Sequence, residues 1–154
     1  MKQTILVTGG TGFIGSHTAV ELIEAGYDVV VVDNLSNSKM EVLDGIEEIT
    51  GYRPSFEMVD LRDKEATEEV FKKYSNIVGI IHFAASKAVG ESVQKPLLYY
   101  RNNIVSLINL LELMPQYGVK GIIFSSSCTV YGQPKPENLP VTEDAPHQKA
   151  TSPY

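Results

Sequence analysis

Apolar residues along this chain fall into two alternating kinds of segment. Residues 4–8, 29–32, 56–59, 78–83 and 121–124 are short, β-branched or aromatic, and mostly apolar on both faces. That pattern predicts strands buried on two sides, as in a parallel sheet. Between them lie stretches of helical period. Phe13, Ile14, Ala19, Val20, Leu22 and Ile23 share one side of a helix that stops at Ala25-Gly26, an ordinary C-terminal signal. Residues 64–74 place Ala66, Val70 and Phe71 on one face, and residues 97–117 form the longest helical stretch, closed by Pro115 and Gly118. A weaker helical pattern covers residues 36–50. Five strands alternating with helices predict an α/β fold with a doubly wound parallel sheet and right-handed crossovers. Residues 132–146 are proline-rich and predict a long loop of the functional kind.

Composition narrows the function. The 154 residues carry 13 basic and 19 acidic side chains, a formal net charge of −6, with 43% hydrophobic and 21% charged residues. This is the make-up of one soluble globular domain. An acidic balance argues against a nucleic-acid backbone as partner. No apolar run approaches the roughly 20 residues of a membrane helix, and Met1-Lys2-Gln3-Thr4 leads into a strand without a signal-peptide pattern. Cys128 is the single cysteine, and nothing near it has metal-ligand spacing. A cytoplasmic protein with no metal site is the expectation.

The first chemical signal is Thr8-Gly9-Gly10-Thr11-Gly12-Phe13-Ile14-Gly15, between the first strand and the first helix. Gly10, Gly12 and Gly15 fit the spacing G-x-G-x-x-G, and Gly9, Gly12 and Gly15 fit G-x-x-G-x-x-G. Glycine suits a turn whose backbone must approach a pyrophosphate and whose helix packs closely on the strand. The helix N-terminus then offers unpaired N–H groups to the phosphates. Asp33 ends the second strand, 21 residues after Gly12, near the ~20 expected of a ribose-binding acid. A carboxylate there accepts from ribose hydroxyls and repels a 2′-phosphate, so NAD is favoured over NADP. Asp60 closes the third strand and either borders an adenine or caps the next helix. Phe83, Ala84 and Ala85 close the fourth strand, with small residues that let a flat ligand approach. His17, His82 and His147 lack partner spacing and are read as structural or solvated. Ser125-Ser126-Ser127 follow the fifth strand on the rim where doubly wound folds bind ligands, although three serines also suit a plain polar loop. Ser152-Pro153-Tyr154 reads as a helix start, a capping serine followed by proline. A helix signalled and then cut off is read as truncation, with a disordered tail as the alternative.

The glycine segment through Ser16-His17, Asp33-Asn34-Leu35, Ser125-Ser126-Ser127-Cys128-Thr129-Val130-Tyr131-Gly132 and above all Lys87-Ala88-Val89-Gly90-Glu91-Ser92-Val93-Gln94-Lys95-Pro96 resemble the UDP-glucose 4-epimerase (UDP-galactose 4-epimerase) family. These enzymes are extended short-chain dehydrogenase/reductases. The resemblance covers the whole chain and corresponds to the first half or so of a member. It implies an incomplete Rossmann fold, with residues 1–154 an NAD-binding domain and the substrate domain absent. By resemblance, Phe13 and Ile14 belong to the pyrophosphate turn. Asp33, Asn34, Leu35, Ser36, Asn37 and Ser38 surround the adenosine ribose, and Asp60 with Leu61 border the adenine. Phe83, Ala84, Ala85, Ser86, Lys87 and Asn102 line the cofactor, and Ser127 and Tyr154 are the catalytic pair. Ala85 and Ser86 stand where Gly and Leu are expected, and Cys128 where Ala is usual. A homodimer through the long helix is implied for the complete protein.

The resemblance also implies a mechanism. Tyr154, as phenolate, takes the proton of the sugar 4′-hydroxyl of a UDP-hexose while C4′ passes a hydride to NAD. The 4-keto sugar turns over and receives the hydride on its other face, with Ser127 hydrogen-bonded to the same oxygen. A free tyrosine has a pKa of about 10, so its ionisation near neutrality costs about 4 kcal/mol. In the family a lysine four residues after the tyrosine helps offset that cost. That position lies past residue 154, and the chain by itself is expected to be inactive. A sugar-nucleotide 4,6-dehydratase is disfavoured, because Cys128-Thr129-Val130 offers no acid–base pair. UDP-glucuronate epimerases and a non-catalytic NAD-binding module are the remaining alternatives.

Overall fold

The computed structural model describes residues 2–154. Five strands form one all-parallel sheet in the order β3-β2-β1-β4-β5: β1 (Thr4–Thr8), β2 (Asp28–Asp33), β3 (Ser55–Met58), β4 (Ile77–His82) and β5 (Gly121–Phe124). The order reverses at β1, which has β2 on one side and β4 on the other, so the crevice at its C-terminal end is the switch point of the fold. Side chains of β1 and β2 alternate between two cores. Leu6, Val30 and Val32 face α3 (Lys64–Lys73) and α6 (Ser106–Leu113), together with Phe71, Leu110 and Leu113. Val7, Val29 and Val31 face α1 (Phe13–Glu24) and α2 (Val42–Thr50), with Ala19, Leu43 and Ile46. The period-two alternation of a strand thus serves two layers at once.

The expected strands at 4–8 and 121–124 have the observed bounds, while β2 is longer and β3 and β4 start and stop one residue earlier than the pattern predicts. The helix expected from residue 36 begins only at Val42, because Asp33 and Asn34 side chains take the Leu35 and Ser36 N–H groups into a loop. Asp63, not Asp60, caps α3, its carboxylate accepting from Ala66 N at 2.9 Å. The long helix is broken: α5 (Pro96–Tyr99) passes into a π-helical turn, Tyr100–Val105, before α6 resumes. Residues 114–118 form turns closed by Val119 N donating to Met114 O at 2.9 Å. A short helix, α4 (Val89–Gln94), precedes it without having been expected. The helix start expected at Ser152 is a bend, since one residue after Pro153 leaves no amide to close a turn. Among the described residues no helix is long and apolar enough to cross a membrane.

Candidate functional site

The C-terminal strand ends bring most of the sequence-derived candidates to one rim. Gly9 N donates to Val32 O at 2.8 Å, and Gly9 adopts φ +68°, left-handed backbone that L side chains rarely enter. A Cβ on Gly15 would stand 2.3 Å from Gly9 O, so helix α1 and the loop touch through backbone alone. Gly12 begins α1 without a side-chain cap, which leaves the first-turn N–H groups facing outward. Phe13 and Ile14 lie there 79% and 59% exposed. The concave backbone, closed to any side chain and rimmed by unpaired N–H groups, fits a pyrophosphate.

Beside it, Asp33 ties two loops together. Its Oδ2 accepts from Thr11 N at 3.3 Å, and its Oδ1 accepts from Leu35 N at 2.9 Å and from the Ser38 hydroxyl at 3.2 Å. Ser38 Oγ is also 2.6 Å from Thr11 Oγ1. Leu35 is the described non-glycine residue held at positive φ, +55°, a local strain the Asp33 bond helps to hold. Asn34, Ser36 and Asn37 are exposed on the same loop.

Asp60 follows on the neighbouring strand end. Arg62 lies across both of its oxygens, and these hydrogen bonds hold its carboxyl at a pKa of about 2. Leu61 departs from the expectation in part: its side chain is buried in the core, and only its backbone is near the rim, its carbonyl accepting from Asn109 at 2.8 Å.

On the other side of β1 the rim turns into a cavity of about 390 Å³. Phe83, Ala84, Ala85, Asn103, Phe124, Ser127, Thr129 and Tyr154 are among its lining residues. Ser127 and Tyr154 are therefore brought together, yet no hydrogen bond joins them among the described residues. Ser127 Oγ instead accepts from Thr129 N at 3.3 Å and from the Thr129 hydroxyl at 3.1 Å. Lys87 is exposed. Ser86 is held twice over: Asn102 donates to its hydroxyl at 2.8 Å, and Asn103 accepts from its N and donates to its O at 2.8 and 2.9 Å. Both asparagines lie on the π-helical turn, a geometry frequent at functional sites. Buried Tyr99 accepts from Ala88 N at 3.1 Å and donates to Glu91 at 3.0 Å, pinning the same loop.

Sequence reasoning missed Asn103, Tyr99 and Arg62. Only Asn103 had a signal within reach, its adjacency to Asn102. His82, read as structural or solvated, is buried, with Nδ1 2.7 Å from the Thr8 hydroxyl, and burial depresses its pKa to about 4. His17 and His147 are exposed and pack edge-on against Phe13 and Tyr131.

Residues 5–154 match the NAD dependent epimerase/dehydratase family. The chain is similar to the UDP-glucose 4-epimerase of Bacillus subtilis, 56% identical over 152 residues that cover 99% of this chain and 44% of that one. It is similar in structure to the UDP-glucose 4-epimerase of Bifidobacterium longum in complex with NAD+ and UDP, with a TM-score of 0.93, 51% identity, and coverage of 99% and 44%. The enzyme of Stenotrophomonas maltophila with bound NAD and formylated UDP-arabinopyranose superposes with a TM-score of 0.91 at 44% identity, covering 99% and 44%. The chain thus spans less than half the length of the relatives it matches.

Proposed function

The chain belongs to the NAD dependent epimerase/dehydratase family, and from that premise we propose that it is the cofactor-holding part of an enzyme that interconverts UDP-galactose and UDP-glucose. The observation that carries the reading is the rim itself, where Asp60, Asp33, a glycine loop closed to side chains and the Ser127–Tyr154 cavity follow one another across the strand ends from β3 to β5. The residues fit NAD. Gly9, Gly12 and Gly15, with the N–H groups at Phe13 and Ile14, hold the diphosphate. Asp33 and the loop through Ser38 hold the adenosine ribose, and Asp60 faces the adenine. Phe83, Ala84, Ala85, Ser86, Lys87 and Asn102 border the nicotinamide end. When bound, NAD supplies the hydride acceptor and donor for transient oxidation at the sugar C4′.

The chain's own residues handle the proton. Tyr154 accepts it from the 4′-hydroxyl and returns it after the sugar has turned, and Ser127, which only accepts from Thr129, has its own hydroxyl proton free to donate to the same oxygen. In the family a lysine four residues after the tyrosine helps to lower its pKa, and turnover is expected to depend on it, whereas NAD binding is expected of residues 1–154 themselves. The exposed stripe Leu97, Ile104, Ile108 and Leu111 supports pairing of this helix with a second subunit in the complete enzyme.

A chimaera tests the reading: residues 1–154 replace the matching segment of the Bacillus subtilis relative. Epimerisation of UDP-galactose is expected, with at least a ~100-fold loss in the Tyr154→Phe variant, in line with removal of a general acid–base group. A folded chimaera that holds NAD and leaves UDP-galactose unchanged would contradict it.

A further inference from the structure

The Asp60 carboxylate is held in an unusual way for a group on an open rim. Arg62 Nε stands 2.9 and 3.1 Å from its two oxygens, Arg62 Nη2 lies 2.5 Å from Oδ2, and the Arg62 backbone N donates to Oδ1 at 3.0 Å. Asn34, from the Asp33 loop, reaches Oδ2 only at 3.4 Å. A carboxylate offers about four acceptor directions. The arginine fork and backbone take the near ones, and the Asn34 bond, at the edge of hydrogen-bonding range, marks the weakly filled direction. That direction faces the loop on which the ribose is read. The fork also sets the plane of the carboxylate, because the guanidinium bonds both of its oxygens.

We propose that Arg62 is a positioning residue that makes Asp60 a selector for a 6-aminopurine, holding it as an oriented, acceptor-only carboxylate toward the exocyclic amine of the adenine. The inference rests on the placement of adenine in the proposed function and goes beyond it by assigning the selectivity to the Asp60–Arg62 pair. A 6-oxopurine in the same place presents a carbonyl oxygen to a carboxylate that has no proton to give. Burial of the carboxyl raises its pKa, but the bonds from Arg62 outweigh that and hold it far below the ordinary carboxylate range, so mild acid does not restore a donor. Lysine at position 62 would keep the charge and lose the fork.

Calorimetric titration with NAD and with nicotinamide hypoxanthine dinucleotide tests this on the 154-residue chain. The unsubstituted protein is expected to prefer NAD by about tenfold, the worth of one hydrogen bond to a charged acceptor on an exposed rim. Arg62→Ala is expected to bring that ratio to about twofold or less, and Arg62→Lys to recover part of it. Asp60→Asn, which adds a donor, should bring the ratio to unity or below. Circular dichroism separates these effects from loss of fold. An Arg62→Ala variant that weakens both dinucleotides equally, or keeps the full preference, overturns the selector and leaves the NAD site standing. Absence of NAD binding to the unsubstituted protein overturns both.

Discussion

Thr11, Asp33 and Ser38, at the rim of β1 and β2, hold one another through hydrogen bonds, whereas Ser127 and Tyr154, beyond β5, share a cavity with no bond between them. Burial divides the same way. Val31 of β2 is fully buried, while Ile123 and Phe124 of β5 are 64% and 51% exposed. The proposed nucleotide end is therefore preorganised by the chain's own packing, and less packing holds the geometry of the proposed catalytic end. Cofactor affinity should be a property of these residues alone, and the alignment of the catalytic pair should not.

The sharpest way to break that contrast is Gly15→Val. Its Cβ alone would meet Gly9 O at 2.3 Å, so loss of NAD binding and a fall in stability of about 3 kcal/mol are expected, read by titration and urea unfolding. A stable variant that binds NAD would show the loop to be looser than described. Next, Leu6→Ala, at a fully buried position, is expected to cost about 3 kcal/mol, and Ile123→Ala well under ~1 kcal/mol. Equal costs would erase the difference between the two halves of the sheet.

His82 lies between the halves and gives the contrast a pH signature. Folded, it is depressed by burial to about 4, against an ordinary 6.5. Between those values the unfolded chain binds the extra proton, so stability falls as pH drops from 6.5 toward 4, by at most about 3 kcal/mol. His82→Gln should flatten that window in urea-midpoint measurements. Asp60, lowered to about 2 by Arg62, loses its contribution only at lower pH, as pH falls from 3.8 through 2. On binding the effect expected is smaller than the core losses: Asp33→Ala should weaken NAD about tenfold and narrow the gap to NADP, while Ser127→Ala leaves NAD affinity unchanged.

What could be read from the sequence follows the range of each signal. The glycine loop, Asp33 and the strands at 4–8 and 121–124 are local patterns, and they stand at the rim and in the sheet as expected. The break of the long helix at Tyr100 was hidden, because apolar spacing runs through the π-helical turn without interruption. Asn103, Tyr99 and Arg62 act on residues near them in space, through backbone groups or a neighbouring carboxylate, and no spacing rule reports such bonds. The Asp60 alternatives were separable only by geometry, since Asp63 stands three residues on and serves as the cap instead.

Titration of the 154-residue chain with NAD and NADP tests the central claim most directly. The account predicts binding of one NAD per chain, tighter than NADP, with the preference carried by Asp33. A folded chain that binds neither dinucleotide, or takes NADP as readily as NAD, would contradict it.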